Sequence, residues 1–353
     1  MRYWTLVQLY VGTIGLMLLS HTSVAQDIRF SQFQSVPLYL NPASAGAISN
    51  PVIRFQSRLQ QFGPVAYRTG YASVALPVYL TNREAPTGGV GLNFLQDVAG
   101  QSQEYRTTIV QLAASYNIFL DRYATHWISL GLQTGYHQTR VDFSQLNWPS
   151  QLRYNGFTGG SIPYENFPNQ ISTIGINAGF LWCYDPTRNP LSQATPLRLH
   201  AGLAINDLNE PELGFVTQAD ANNRLLMGYT AQAGAEFLLS ERLSLAPNFL
   251  ATWQYPFFTY QAGASFTYHT QLSTPNNPVP SDFKLLTGAW YRQEKSLVFL
   301  VGMGGKKWQT ALSYDAHLSA QRRGVTNQYA LELSILYRWF PKNTPKTQST
   351  PLF

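Results

Sequence analysis

Between residues 105 and 120, in YRTTIVQLAASYNIFL, apolar side chains recur at every second position. Val110, Leu112, Ala114, Tyr116 and Ile118 share one face, while Ile109, Gln111, Ala113, Ser115 and Asn117 share the other. Residues 126–143 repeat the pattern, with Ile128, Leu130, Leu132 and Tyr136 opposite Ser129, Gly131, Gln133, Gly135 and His137. Near the end, Leu331, Leu333, Ile335, Tyr337 and Trp339 oppose Glu332, Ser334 and Arg338. A period of two is that of a β-strand, whose successive side chains point to opposite faces. Strands of soluble proteins average about 5–6 residues, whereas a strand of about 9–11 residues crosses a bilayer at a tilt. The length of these runs therefore favours membrane-crossing strands over a soluble sandwich with one wet face.

Similar runs place candidate strands at 51–61, 65–78, 88–97, 102–120, 125–143, 171–184 and 196–207, and again at 224–239, 242–254, 257–268, 282–292, 296–304, 306–315 and 327–340. The fold class is all-β: a transmembrane antiparallel β-barrel of about fourteen strands, even in number as single-chain outer-membrane barrels are. Twelve and sixteen strands remain open. The strands form one series, so the barrel is one domain, 51–340, preceded by a segment at 26–50 and followed by a tail at 341–353. Connections leaving odd-numbered strands are the expected outer loops, and these are commonly the longer ones. The longest, 144–170 and 208–223, obey this, as does 316–326; 269–282 is an exception. Pro and Gly are expected mostly in the connections.

Composition agrees. Charged residues are 12%, about half the ~25% of soluble domains, and aromatics reach 14%. Mean hydropathy is nonetheless only −0.16, as expected when polar lumen residues alternate with lipid-facing ones. Trp127, Trp253, Tyr255, Trp290, Tyr291, Trp308 and Trp339 near strand ends suit aromatic girdles. Arg198, His200 and Asn206 share a face opposite Leu197, Leu199, Leu203 and Ile205, which sends the polar groups into the lumen. The scattered positive charges contain no dense basic block, so nucleic acid is not an expected partner.

Residues 1–25 join Arg2, an apolar run from about Leu9 to Leu19, and the small-residue ending Ser23-Val24-Ala25. That order predicts a secretory leader cleaved before Gln26; the apolar run is shorter than the roughly 20 residues of a helical span.

Reactive chemistry has no signature. The lone Cys183 excludes an intramolecular disulfide framework and reads as a buried or lipid-facing thiol. The histidines lack metal-ligand spacing, and neither a nucleophile elbow nor a P-loop is present. GMGG at 302–305 reads as a tight turn. Asp185, Asp207, Asp220 and Asp315, near expected loops, could line a calcium site, though solvated loop carboxylates are the commoner case. Glu332 and Arg338 are expected to face the lumen as an ion pair. No enzyme activity, cofactor or metal is expected.

The segment QDIRFSQFQSVPLYLNPASAG, 26–46, follows neither helical nor strand period. It resembles the mature start of the PorP/SprF family of type IX secretion system membrane proteins, in which Q-D-P-x-F-S-Q-Y precedes P-L-Y-L-N-P-A-x-A-G. The matching positions are Gln26, Asp27, Phe30, Ser31, Gln32, Pro37 to Ala43, Ala45 and Gly46; Ile28 and Phe33 depart from it. LRLHAGLAINDLNEPELGF resembles the family's middle, where a Gly-rich strand enters an N-x-x-x-P loop. Residues 311–339 resemble its closing strand pair, with Ala311 to Asp315 in the first strand and Glu332, Leu336, Tyr337 and Trp339 in the second. The resemblance implies an outer-membrane barrel with its N-terminus in the periplasm. Its expected partners are outer-membrane lipid, subunits of the secretion machinery, and exported cargo such as large gliding adhesins at the cell surface.

The N-P-A element is also similar to the N-terminal hatch of FadL-type channels, so the competing function is a FadL-like channel for small hydrophobic solutes. A fourteen-strand barrel is wider than its own side chains fill. We therefore expect residues 26–46 to plug the lumen or, as a periplasmic lead-in, to dock on the rim or on a partner. In the plug, which Pro37 and Pro42 break, Phe30, Phe33 and Tyr39 would pack on the inner wall, and Asn41 would satisfy backbone groups at the bend around Pro42. Tyr154, Phe157, Tyr164 and Phe167 in the long outer loop are candidate partner contacts, or else they fold over the barrel mouth as a lid.

Overall fold

A computed structural model describes residues 28–62, 65–80, 85–100, 103–142, 152–153, 156–157, 169–188, 197–212, 224–240, 242–270, 283–318 and 328–340. The expected leader at 1–25 and the tail at 341–353 lie outside the described residues.

Strands follow one another as β1 (Val52–Phe62), β2 (Val65–Val78), β3 (Gly88–Ala99), β4 (Tyr105–Phe119) and β5 (His126–Val141). A small hairpin, β6 (Leu152–Arg153) with β7 (Gly156–Phe157), stands apart from the main sheet. Then come β8 (Gln170–Tyr184), β9 (Leu197–Asn206), β10 (Gly228–Ser240), β11 (Leu243–Gln254) and β12 (Phe257–His269). The series ends with β13 (Lys284–Arg292), β14 (Ser296–Gly304), β15 (Trp308–His317) and β16 (Gln328–Arg338). Apart from β6 and β7, each strand pairs antiparallel with its chain neighbours, β8 follows β5, and β1 pairs with β16. The result is a closed barrel of fourteen strands. Closure leaves every strand two neighbours, the condition for a sheet to stand in lipid.

The alternation read from the sequence sets which face looks inward. Leu112, Leu130, Leu132, Leu333 and Ile335 are exposed on the outer face, while Gln111, Ser129, Gln133, Glu332 and Ser334 are buried within. Trp253, Tyr255, Tyr291, Trp308 and Trp339 are exposed as girdle residues should be. Trp127 and Trp290 are not: both are buried on the inner face. Parity explains the correction, because Trp127 shares a face with Ser129 and Gln133, and Trp290 with Arg292. GMGG also differs from the expected turn, since Gly302–Gly304 belong to β14 and only Gly305 leaves it.

β5, β9 and β15 end, and β8, β10 and β16 begin, at one end of the barrel; the chain enters β1 at the other, where β8 and β12 end and β9 and β13 begin. The former is called here the long-loop end and the latter the entry end. The strand expected from 224 starts only at Gly228, because Arg224 instead bridges to Glu212.

Leu132 is 64% exposed in the middle of β5. Leu132→Arg should lower barrel stability by about 2–4 kcal/mol, the cost of an Arg at the bilayer midplane. Urea unfolding in lipid vesicles checks this, with Gln133→Arg, on the lumen face of the same strand, as the contrast.

Candidate functional site

The segment before β1 folds into three short turns: a 3-10 turn at Phe33–Ser35, one α-turn at Pro37–Leu40, and a 3-10 helix at Pro42–Ala47. Pro37 and Pro42 each start a turn, where the missing N–H costs nothing and the fixed φ already suits a helix. Asn41 joins the last two: its side-chain oxygen accepts the Ala43 N–H at 2.9 Å, and its amide nitrogen donates to the carbonyls of Phe180 at 3.0 Å and Leu203 at 3.4 Å. Asn41 thus ties the turn to both β8 and β9.

At the other side of the barrel, Ser31 and Gln32 form a latch with β1, β12, β13, β15 and β16. The Ser31 and Gln32 N–H groups donate to the two oxygens of Glu332, the second at 2.9 Å. The Ser31 hydroxyl donates to Asp315 and accepts from Arg58 at 2.6 Å and Arg292 at 2.7 Å. Gln261 donates to the Ser31 carbonyl at 2.7 Å. The Gln32 side chain donates to Ser313 at 3.0 Å and accepts from Ser334 at 2.6 Å. Arg58 pairs with Glu332 and lies 3.2 Å from Asp315, and Arg292 lies 3.5 Å from Asp315. Two guanidiniums therefore face two carboxylates in a buried, neutral set. A segment that bonds β8 and β9 on one side and β15, β16 and β1 on the other can only lie inside the lumen.

Apolar packing fills the space between. Phe30 is buried with Val36, Tyr71, Leu95 and Ile109, and meets Tyr71 and Tyr39 edge to face at 5.9 and 6.2 Å. Phe33 packs on Trp290, Val298, Leu300 and Ala311. Ala43 and Ala47 lie against Trp127, Leu181 and Cys183, so the cysteine is a buried thiol. Glycines open the wall where the 3-10 helix touches it. A Cβ on Gly89 would overlap the Ala45 carbonyl, one on Gly131 the backbone between Pro42 and Ala43, and one on Gly179 the Asn41 side chain. This reverses the expectation that glycine falls mostly in connections: much of it lies in strands, where backbone must approach backbone.

Toward the long-loop end a cavity of about 600 Å³ lies above the plug. Ile28, Phe30, Phe33 and Leu40 form an apolar floor, and Thr107, Thr139, Thr173, Thr252 and Thr259 line the walls.

Of the site residues read from the sequence, Phe30, Phe33, Pro37, Tyr39, Asn41 and Pro42 all lie in this lumen segment. Tyr154, Tyr164 and Phe167 fall outside the described residues, and of Phe157 only the backbone, in β7, is described. Glu332 is buried, yet its partner is Arg58 on the neighbouring strand rather than Arg338. Asp315 is no loop carboxylate but part of the latch; Asp185 holds Thr187 and lies 3.4 Å from Arg198. Asp220 is outside the described residues, and no group of three or more His, Cys, Asp or Glu is poised for a metal among those described. The reading missed the latch itself. Its signal was present as isolated charges on lumen-facing positions, Arg58, Arg292, Asp315 and Glu332, whose partners lie on other strands.

Glu332→Ala leaves the buried Arg58 without its nearest carboxylate and frees two plug N–H groups. Breaking a buried pair costs about 3–5 kcal/mol. The folded barrel should lose thermal stability and conduct more in planar bilayers; an unchanged conductance would separate the latch from plugging.

The sequence profile of the family described as type IX secretion system membrane protein PorP/SprF matches residues 22–337. A search of curated proteins finds no match. Among solved structures, the toluene transporter TbuX of Ralstonia pickettii is similar at a TM-score of 0.51 and 13% identity, covering 90% of this chain and 96% of that one. The P. putida toluene transporter TodX gives 0.47 at 11% identity, covering 87% and 94%. The likeness to TbuX concerns the fold alone. The family match spans nearly the whole chain, and Phe30-Ser31-Gln32, Asn41-Pro42-Ala43, Asp315 and Glu332, on which the sequence resemblance rests, all lie at the lumen site. The chain belongs to the PorP/SprF family of type IX secretion system membrane proteins, an integral outer-membrane barrel of that system.

Proposed function

We propose that this barrel is a non-enzymatic accessory of type IX secretion that receives an exported protein, such as a large adhesin of the gliding type, and holds it at the cell surface. The observation that carries the reading is the plug. An anchoring barrel needs a rigid, lipid-embedded body and no open pore, and here the lumen is spanned by a segment bonded to opposite walls. The latch carboxylates are engaged by arginines and backbone N–H groups, which suits holding a segment rather than turning over a substrate. The long-loop end would face outside and the entry end the periplasm, in keeping with the greater length of outer loops.

A FadL-like channel for small hydrophobic solutes is the second reading, and the cavity with its apolar floor favours it. Cells lacking the barrel separate the two. The first reading expects cargo to leave the cell surface and appear in the medium or accumulate inside, with the complete protein co-purifying with that cargo from detergent extracts. Normal cargo display together with lost uptake of an aromatic hydrocarbon would replace it with the second.

A further inference from the structure

The barrel wall is uneven at one seam. β5 pairs with β8 along its whole length, from Arg140 opposite Gln170 to His126 opposite Tyr184. On the other flank β9 pairs only with Ala178–Tyr184, which leaves Gln170–Asn177 reaching beyond the last ladder pair, Ala178 with Ile205. The cause is local. β9 ends at Asn206, and the chain turns away through two residues of positive φ, Asp207 at 54° and Glu210 at 41°.

The backbone of β8 shows what this flank demands. The Ile176 carbonyl accepts the Leu208 N–H at 2.8 Å, and the Ile176 N–H is met by the Asn209 side chain at 3.0 Å. The same amide donates to the Ile174 carbonyl at 2.7 Å. A side chain here substitutes for the next strand, and its reach ends at Ile174. By the period of two, the Ile174 N–H and both backbone groups of Ser172 and Gln170 face the same flank, with no strand beside them among the described residues. An unpaired row of alternating donors and acceptors is a template for another strand.

The surroundings suit a strand. Inside the seam, Ile171, Thr173 and Leu225 line the cavity of about 600 Å³, which has room for the inward side chains of an added segment. Outside, Ile174 is 61% exposed and Leu226 is also exposed, an apolar border for the outward ones. The edge rises from the apolar belt toward the long-loop end, where the Tyr136 and Ser172 hydroxyls meet at 2.7 Å on the outer face.

We infer that the Gln170–Gly175 edge of β8 is a docking site for an extended, alternately apolar segment of the exported partner, which joins the barrel wall as an added strand. Strand addition gives affinity through main-chain hydrogen bonds and specificity through alternate side-chain pockets. An apolar solute supplies neither donors nor acceptors and leaves the edge unmet. The inference rests on the cargo-holding function proposed above and names its contact.

Ser172→Pro deletes one edge N–H and leaves the β5 ladder intact; Thr173→Pro deletes an N–H that faces β5 and serves as the contrast. In cells carrying the complete protein, the Ser172→Pro barrel should reach the outer membrane with unchanged heat-modifiable mobility. Surface-held cargo should fall to the level of cells lacking the barrel. Benzoylphenylalanine in place of Gln170 should form a photo-adduct with that cargo, and Ser172→Pro should abolish it. Normal cargo display with Ser172→Pro overturns the inference. So does failure of that variant to fold, which means the N–H already has a partner within the chain, or an adduct confined to this chain. Cargo display that persists in cells lacking the barrel instead overturns the proposed function, a distinguishable result.

Discussion

Backbone that forms neither long helix nor ladder can sit at membrane depth only where protein or water meets its polar groups. The segment before β1 meets that condition through a small set of inward side chains. Glu332 takes two of its N–H groups, Gln261 one carbonyl, and Asn41 bonds out to two strands on the opposite wall. Without these contacts the segment would have no reason to remain in the lumen, and a barrel this wide has no side chains of its own to fill the space. The strands supply the enclosure, and the plug supplies the core. The segment before β1 and the barrel wall are therefore one unit rather than a lead-in attached to a finished cylinder.

Charge inside the lumen works as placement more than as stability. Buried ion pairs roughly break even against apolar packing, while a lone buried charge is costly. Arg58 and Arg292 are paired with Asp315 and Glu332 within the wall, and the Ser31 and Gln32 groups complete their hydrogen bonding, so any shift of the plug would forfeit charge-assisted hydrogen bonds at buried groups. Apolar contacts, such as Phe33 on Trp290 and Ala43 beside Trp127, then add non-directional burial at a position already fixed. The glycines act in the same sense: Gly131 and Gly179 admit Pro42 and Asn41 at backbone distance, and no bulkier residue leaves that groove open.

Much of the barrel was legible in the sequence because a lipid-facing strand leaves a period of two sustained over more residues than soluble strands commonly have. Leu130 and Leu132 against Ser129 and Gln133 identify both faces of β5 without reference to any partner. The same rule, applied to Trp127 and Trp290, outweighs the tendency of tryptophan to sit in girdles, and both point inward. What the alternation cannot carry is contact between residues hundreds of positions apart. Ser31 with Asp315 and Asn41 with Leu203 are set by closure of the sheet, and a single strand contains no trace of which inward residue will meet the plug. Glycine in strands was misread for a related reason: its role depends on the approach of a segment from elsewhere in the chain. The β8–β9 seam is likewise visible only as a register, from which Asp207 and Glu210, both at positive φ, deflect the chain.

Residues 31–47 are held as firmly as the strands around them. Hydrogen–deuterium exchange of the full protein in lipid nanodiscs reads this most directly. The expected result is slow exchange at the Ser31, Gln32, Asn41 and Ala43 amides, comparable to those of β1 and β16. Exchange of that segment at the rate of an unstructured peptide, with the strands still protected, would contradict the account.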